Sequence, residues 1–338
     1  MQIIDTWTGG RADALRRAMR MTYEGFAVHL GVSPRQVFNW HGRPRIVPQA
    51  YFQRKLDRAL ENASDEDKAR FTYLIEHSEE SVMTPDEQDR VKGVALNPSR
   101  LDAATVENLA RVLAGQRHAE DALGSEALVV PMTSQLETLI KILRETPEGR
   151  HRQPLSRLVA EWTSFVGWLN ASVRNDAEAE RLFSDAEEMA DEIRDGTIAA
   201  TAISFRGYLA LLQDRFPKAI RESAAALATP GSHSTQHTYD LLQTAQSYAK
   251  LGDQKTARVF LDQASNNANS GGEPPSSVYW YTEPFFRLNI GLAQADIGQY
   301  REAAESLRSG IEEIPPDQRG AEWMTPYRQA LVHAEEQA

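Results

Sequence analysis

Four windows of this sequence carry the same spacing of small residues. Gly167, Gly207, Ala245 and Gly291 are each followed twelve residues later by an alanine: Ala179, Ala219, Ala257 and Ala303. Seven residues further on stand Ala186, Ala226, Ala264 and Gly310. Small side chains at these intervals let two antiparallel helices, and then the next pair, approach closely. A structural unit recurring at a fixed period is the mark of a stacked array and not of a single globular core. The turns inside the units are marked by Leu251-Gly252-Asp253 and Ile297-Gly298-Gln299, with Phe216 and Tyr300 at matching places just beyond the turn. Pro315 stands twelve residues after Ala303, where a closing proline belongs.

The pattern resembles the tetratricopeptide repeat (TPR), a 34-residue helix-turn-helix unit that stacks into a superhelix. The units are expected at 160–193, 200–233, 238–271 and 284–317, with a polar capping helix over 318–337. Two departures stand out: Arg174 and Asp214 occupy places where the turn glycine is usual, and a long segment, SGGEPPSSVYWYT, precedes the last unit. The first helix of each TPR unit lines the concave wall. The resemblance therefore implies a ligand groove presenting Trp168, Tyr208, Tyr239, Gln243, Gln246, Phe285 and Asn289. Rings and amides suit an extended peptide, or a segment of a protein partner, but each of these residues also suits packing between helices. The basic clamp with which some TPRs hold a C-terminal carboxylate is not lined up here. Residues 99–143 carry helical periodicity as well, through Leu101, Val106, Leu109, Val112 and Leu113 and then Met132, Leu136, Leu139, Ile140 and Leu143, and read as a helix pair leading into the array.

A second organised stretch lies near the start. Met21–Gly42, MTYEGFAVHLGVSPRQVFNWHG, reads as a helix over Tyr23–Leu30, a tight turn and a second helix. Thr22 can cap the first helix, and Gly31 supplies a left-handed stop. Ser33 caps the second, Pro34 takes its first position, and Gln36 sits where a capping-box partner belongs. Phe26, Ala27, Leu30, Val32, Val37 and Trp40 form one seam. Arg35, Gln36 and Asn39 are left on the outer face, and such side chains can pair with guanine and adenine edges in a major groove.

This stretch resembles the helix-turn-helix of phage-repressor-type (XRE-like) DNA-binding domains through Thr22, Ala27, Leu30, Gly31, Val32, Ser33, Val37 and Trp40. Tyr23 stands where the family usually has a phosphate-touching glutamine, and Phe26 where it has leucine. The resemblance implies Arg35, Gln36 and Asn39 as base readers and Tyr23, Arg43 and Arg45 as phosphate contacts, the last two from the basic loop HGRPRIV. Around it, helices are expected over Arg11–Arg20, from Pro48 to Glu61 and from Ser64 to Ser78, which makes a five-helix domain over 1–78. Residues 79–98 lose apolar periodicity and carry Pro85, Gly93 and Pro98, and so read as a linker before a helical repeat domain over 99–338.

Charge divides the same way. The chain carries a net charge of −11, yet residues 1–60 hold ten Lys/Arg and four acids, a net of +6. A basic head on an acidic body suits a DNA reader joined to a module that does not bind DNA. With 41% apolar and 25% charged residues and no cysteine, a reducing cytoplasm is the expected setting. No apolar run approaches a membrane span, and MQIIDTWTGG lacks the pattern of a signal peptide.

No phosphate-binding loop, metalloprotease or nucleophile-elbow motif is found, so no catalytic residues, metal or cofactor are expected. His233 and His237 are four apart but follow Pro230-Gly231 and have no third ligand; they read as a repeat junction. Tyr279-Trp280-Tyr281 reads as cover for the seam between the last two units, or as a binding lid.

The whole is expected to be all-α and not an enzyme: a DNA-binding transcription regulator with a sensing repeat domain. The layout resembles the peptide-pheromone receptors of the RRNPP class, which implies a homodimer on a palindromic operator of double-stranded DNA, with half-sites about 34 Å apart or a multiple of that. The alternative is a TPR scaffold for a protein partner, with the helix-turn-helix as a docking module.

Overall fold

The computed structural model describes residues 6–42, 46–78, 84–268, 273–316 and 318–338. Among these, regular structure is entirely helical, with seventeen α-helices and no strand. The chain divides into two compact units, Met1–Gly93 and Val94–Ala338.

The first unit holds α1 (Gly9–Ala18), α2 (Tyr23–Leu30), α3 (Pro34–Gly42), α4 (Ala50–Glu61), α5 (Asp65–Ser78) and α6 (Pro85–Leu96), within which the boundary falls. Its core gathers Trp7, Leu15, Phe26, Leu30, Val37, Trp40, Leu56 and Phe71. Trp7 stacks on Phe71 at 5.6 Å and donates its indole N–H to Asp57 at 2.6 Å, so a large ring is buried with its polar atom satisfied. The α2–α3 turn is built by local chemistry. Thr22 Oγ1 accepts from Gly25 N at 3.0 Å. Gly31 adopts φ 61°, and the Val32 amide returns to Ala27 O at 2.9 Å. Ser33 Oγ then accepts from Gln36 N at 3.2 Å. From α4, Lys55 Nζ donates to the carbonyls of Leu30 and Gly31, putting a cation on the negative end of α2.

Three sequence expectations are corrected in this unit. The 79–98 linker is helical over Pro85–Leu96: Thr84 N donates to Glu87 Oε2 at 2.7 Å and Glu87 N to Thr84 Oγ1 at 3.3 Å, a capping box with Pro85 in the first position. Residues 79–83 lie outside the described residues. The helix expected from Pro48 begins at Ala50, because Gln49 O accepts its first amides and Pro48 O is taken by the Gln53 side chain. The first helix runs from Gly9 and stops at Ala18, beyond which Arg20 adopts φ 54°.

The second unit is a TPR-like helical repeat. A pair, α7 (Ala103–Leu123) and α8 (Ser125–Glu145), precedes four more: α9 (Arg152–Ser172) with α10 (Asp176–Glu192), α11 (Gly196–Leu212) with α12 (Phe216–Ala228), α13 (Ser234–Lys250) with α14 (Gln254–Ala268), and α15 (Glu283–Asp296) with α16 (Tyr300–Glu313). The terminal helix α17 covers Thr325–Gln337 and not 318–337. Residues 318–321 form turns and Glu322–Met324 a short 3-10 helix instead, and Arg319 folds back to donate to the carbonyls of Glu312 and Ile314 at the end of α16. Each helix packs on its chain neighbour, and α7, α9, α11, α13, α15 and α17 touch in series along the inner side.

The small-residue spacing has a direct physical reading. Ala179, Ala186, Ala219, Ala226, Ala257, Ala264 and Ala303 are all fully buried. A Cβ added at Gly167 would stand 2.7 Å from the Phe183 ring, and one at Gly291 would stand 2.6 Å from Leu307 Cγ. The turns inside all four pairs use one backbone device. Arg174, Asp214, Gly252 and Gly298 have φ of 63°, 56°, 83° and 78°. The first two units therefore hold an ordinary residue in the left-handed region that the last two assign to glycine.

That conformation costs a non-glycine residue about 1–2 kcal/mol. Asp214→Gly should accordingly stabilise the unit, by about 0.5–1 kcal/mol after the extra entropy of glycine in the unfolded chain. Gly298→Ala should destabilise it by about 1 kcal/mol. Urea unfolding followed by circular dichroism checks both signs, and a neutral pair would mean the turns do not constrain the repeats.

Candidate functional site

In the first unit, α3 presents Arg35 exposed and Gln36 and Asn39 half-buried. Phe38, which the sequence reading passed over, lies on the same helix and is 57% exposed. Tyr23 is drawn into a cluster. Its ring sits 4.8 Å from Phe38 and 5.2 Å from His41, with the Arg16 guanidinium 4.2 Å over its face. Burial, seconded by Asp13, raises its phenol pKa, so the hydroxyl stays a neutral donor. His41 Nδ1 lies 3.2 Å from Asp13. Arg43 and Arg45 lie outside the described residues.

In the second unit, the inner helices enclose a cavity of about 350 Å³. Trp168, Tyr208, Tyr239, Gln246, Phe285 and Asn289 all line it. Gln243 does not. Its side-chain amide donates to Ser204 O at 3.2 Å and Ser223 Oγ at 2.8 Å, and fills the space left by Gly207, whose added Cβ would stand 2.3 Å from it. It is a packing residue between α11, α12 and α13. The rings run along the cavity in near-continuous contact. Tyr208 meets Trp168 at 5.5 Å, Trp168 meets Phe205 at 5.6 Å, and Phe205 stacks on Trp280 at 6.0 Å. Tyr239, Phe285, Trp323 and Tyr327 continue the series. From the long segment before the last unit, Tyr279 and Trp280 join the wall, while Tyr281 is buried against Tyr239 and Phe286.

The cavity is walled because the array closes on itself. Asp121, near the end of α7, accepts from Trp323 Nε1 at 2.8 Å and from Gln318 Nε2 at 3.0 Å. Ile314, Pro315, Gln318, Trp323, Pro326 and Tyr327 thereby line the same space as α7.

Its polar groups collect on α7 and α9. Arg117 is 7% exposed, with both Nη atoms 3.5 Å from Glu161 Oε2. Phe165, Tyr279 and Trp280 surround the guanidinium at 5.7–5.8 Å. Desolvation lowers the Arg117 pKa and raises that of Glu161, whose other oxygen lies 3.8 Å from Arg157 Nε. Glu120 accepts from Ser125 Oγ at 2.7 Å, and burial raises its pKa too. Tyr279 is pushed up to about 12 by burial, so it remains a neutral phenol.

Behind the wall lies a buried polar chain. Thr201 Oγ1 stands 2.9 Å from Gln236 Oε1, Gln236 Nε2 donates to Asp240 Oδ2 at 2.9 Å, and Ser204 Oγ donates to Asp240 Oδ1 at 2.6 Å. The partners of Asp240 are Ser204 and Gln236, and desolvation raises its pKa to about 8 against the pull of those hydrogen bonds. Its carboxyl is therefore held mostly neutral at pH 7.

His233 and His237 are absorbed in the junction before α13. His233 Nδ1 pairs with Thr235 Oγ1 at 2.9 Å, and His237 Nε2 with Ser232 Oγ at 2.7 Å. Among the described residues, no group of three His, Cys, Asp or Glu converges as a metal site. No helix among them is long and apolar enough to cross a membrane. Sequence reasoning missed Arg117 and Asp240. A signal existed for Arg117: with Glu120 it continues the 3–4 spacing of Leu109 and Leu113, so the apolar face of α7 ends in two charged residues, and all four are buried.

No protein-family model matches the sequence. No curated protein matches it either. Among solved structures, the chain is similar to a Signal Transduction ATPase with Numerous Domains (STAND) protein with a tetratricopeptide repeat sensor from Pyrococcus horikoshii, at 12% identity and a TM-score of 0.41. The match covers 97% of this chain and 53% of that one, so this chain spans about half the length of that structure.

The raised pKa of Asp240 sets a sign for stability against pH. Between about pH 4 and 8 the unfolded chain has released this proton and the folded chain has kept it. Stability from this group is whole below pH 4 and declines by up to about 1.4 kcal/mol per pH unit towards pH 8. Asp240→Asn removes that slope, and the amide of Gln236 can turn over to meet it. The variant's melting temperature should exceed the parent's by a margin that grows from pH 5 to pH 8. An equal margin at both values would mean that Asp240 is ionised in the folded chain.

Proposed function

We propose that this protein is a DNA-binding transcription regulator of the XRE-like kind, whose TPR-like unit senses a signal. What supports the DNA-binding half is the α2–α3 arrangement. Caps at Thr22 and Ser33 and the left-handed Gly31 set the two helices, and the core seam through Phe26, Leu30, Val37 and Trp40 leaves Arg35, Gln36 and Asn39 on the side of α3 away from that core. The net charge of +6 over residues 1–60 adds the electrostatic attraction such a contact needs. In this reading Arg35 pairs with guanine, Asn39 and Gln36 with adenine, and the exposed edge of Phe38 meets a thymine methyl. Arg43 and Arg45 hold phosphate, and Tyr23, kept protonated, adds a hydroxyl donor. Paired heads on a palindromic operator follow from the RRNPP-like layout, as does a homodimer.

What supports the sensing half is the walled aromatic cavity of the second unit. A ligand there acts only through a difference in affinity between two states of the unit. The reading assigns the chain no catalytic step, and its site in the cytoplasm follows from contact with DNA.

One observation favours a second reading. Val28 on α2 is 81% exposed and Phe38 on α3 is 57% exposed, and apolar side chains so placed would also serve docking to a protein partner.

Selection of bound duplexes from a random pool, followed by gel retardation in competitor DNA at two salt concentrations, tests the choice. A defined palindromic sequence should emerge. Arg35→Ala should weaken binding to it by about 1–3 kcal/mol, roughly 5- to 150-fold, while leaving non-specific binding nearly unchanged. Enrichment of no sequence, together with loss of a captured protein partner in Val28→Asp, would favour docking instead.

A further inference from the structure

The cavity has hydrogen-bonding capacity that the protein itself leaves unused. Among the described residues, Arg117 Nε, Ser164 Oγ and Ser277 Oγ are buried polar atoms without a hydrogen-bond partner, and all three residues line the cavity. Ser164 precedes Phe165, Ser277 lies two residues before Tyr279, and both of those rings flank the Arg117 guanidinium. The acids nearby are already engaged: Asp121 by Trp323 and Gln318, Glu120 by Ser125, and Glu161 shared with Arg157. Glu161 meets Arg117 only at 3.5 Å, the outer limit of a hydrogen bond. A set of one guanidinium N–H and two hydroxyls, all buried on the same cavity and unpaired, is costly to keep empty-handed. It is also the donor set that matches a carboxylate, since arginine offers parallel N–H groups in a fork. A run of aromatic rings forms much of the rest of the wall. A volume of about 350 Å³ is at the lower end for small-molecule sites and small for an extended peptide.

We propose that the cavity binds a small aromatic carboxylate, with its acid group on Arg117, Ser164 and Ser277 and its ring among the aromatic side chains of α9, α11 and the 276–282 segment. This deepens the sensing role proposed above and rests on the same cavity. It replaces the extended peptide expected from the sequence with a compact monoanion. Glu161 then acts as a placeholder, neutralising Arg117 from a distance when no ligand is present.

The probes are 2-naphthoate and its neutral partner 2-naphthamide, titrated calorimetrically into the full chain. The acid should bind at least tenfold tighter than the amide. Arg117→Gln should abolish that preference, leaving naphthamide within twofold of the parent value. Glu161→Gln, which removes the competing carboxylate and keeps its shape, should strengthen naphthoate binding threefold or more. Circular dichroism shows that each variant is folded, and the Glu161 arm stands even if Arg117→Gln is not. Equal binding of acid and amide, no binding of either, or a Glu161→Gln loss of naphthoate binding would each overturn the inference. These titrations use no DNA, so failed retardation overturns the regulator reading alone and failed titration overturns this one alone.

Discussion

The two hydrogen bonds that Asp121 accepts from Trp323 and Gln318 close the repeat unit on itself, and the character of its interior follows from that closure. In a stacked array each unit ordinarily touches only its neighbours, and the concave side stays open to water. Here residues 197 and 202 positions apart in the chain are joined. The inner wall becomes the lining of a cavity. Side chains facing it such as Arg117 and Glu120 are buried, and their charges are felt more strongly there. Desolvation accordingly leads the shifts of Arg117, Glu120, Glu161 and Tyr279, which lie on three different elements around the cavity.

Closure in turn depends on how tightly successive helices curve, and that is where the small residues act. Gly167, Gly207, Gly291 and Gly310 each let a neighbouring side chain occupy the place of a Cβ. The neighbour is sometimes polar. At Gly207 it is the Gln243 amide, which also ties α13 to α11 and α12. The same helix carries Gln236 and Asp240, so α13 meets its neighbours through hydrogen bonds as well as apolar contact. Such bonds fix which face of α13 turns inward, because a rotated helix would leave several buried polar groups unpaired.

The fold was legible where local chemistry and spacing agree. The alternation of helix pairs followed from twelve-and-seven spacing, and the limits of α2 followed from Thr22 and Gly31. The α6 capping box was readable too, in Thr84-Pro85-Asp86-Glu87, but Gly93 and Pro98 drew attention to breakers instead. Arg174 and Asp214 could be flagged as departures, but that they adopt the glycine conformation needs coordinates. For the cavity, the register of the inner helices placed six residues on the wall and misplaced Gln243. A period identifies a face only to within about one residue, and Gln243 lies at the edge of that face, beside Gly207. Closure itself was not legible. It rests on Asp121 meeting Trp323, a pair with no periodic relation, and the 276–282 segment enters the interior for the same non-local reason.

Arg117 and Asp121 are one helical turn apart on α7, so the guanidinium whose Nε–H is unpaired and the acceptor that closes the ring share a rigid element. A ligand drawn to Arg117 would load the turn that also carries the closing bonds. It would favour closure only by binding the closed state more tightly than an open one. Trp323, which lines the cavity, is one of the two side chains that Asp121 holds, so the closing bonds and part of the wall share a residue. An open unit would offer the ligand Arg117 without the part of the wall that Trp323 and Tyr327 supply. On the sensing reading, the signal is therefore the degree of closure of the array, and the closing bonds at Asp121 are the element that both the ligand and the rest of the repeat unit bias.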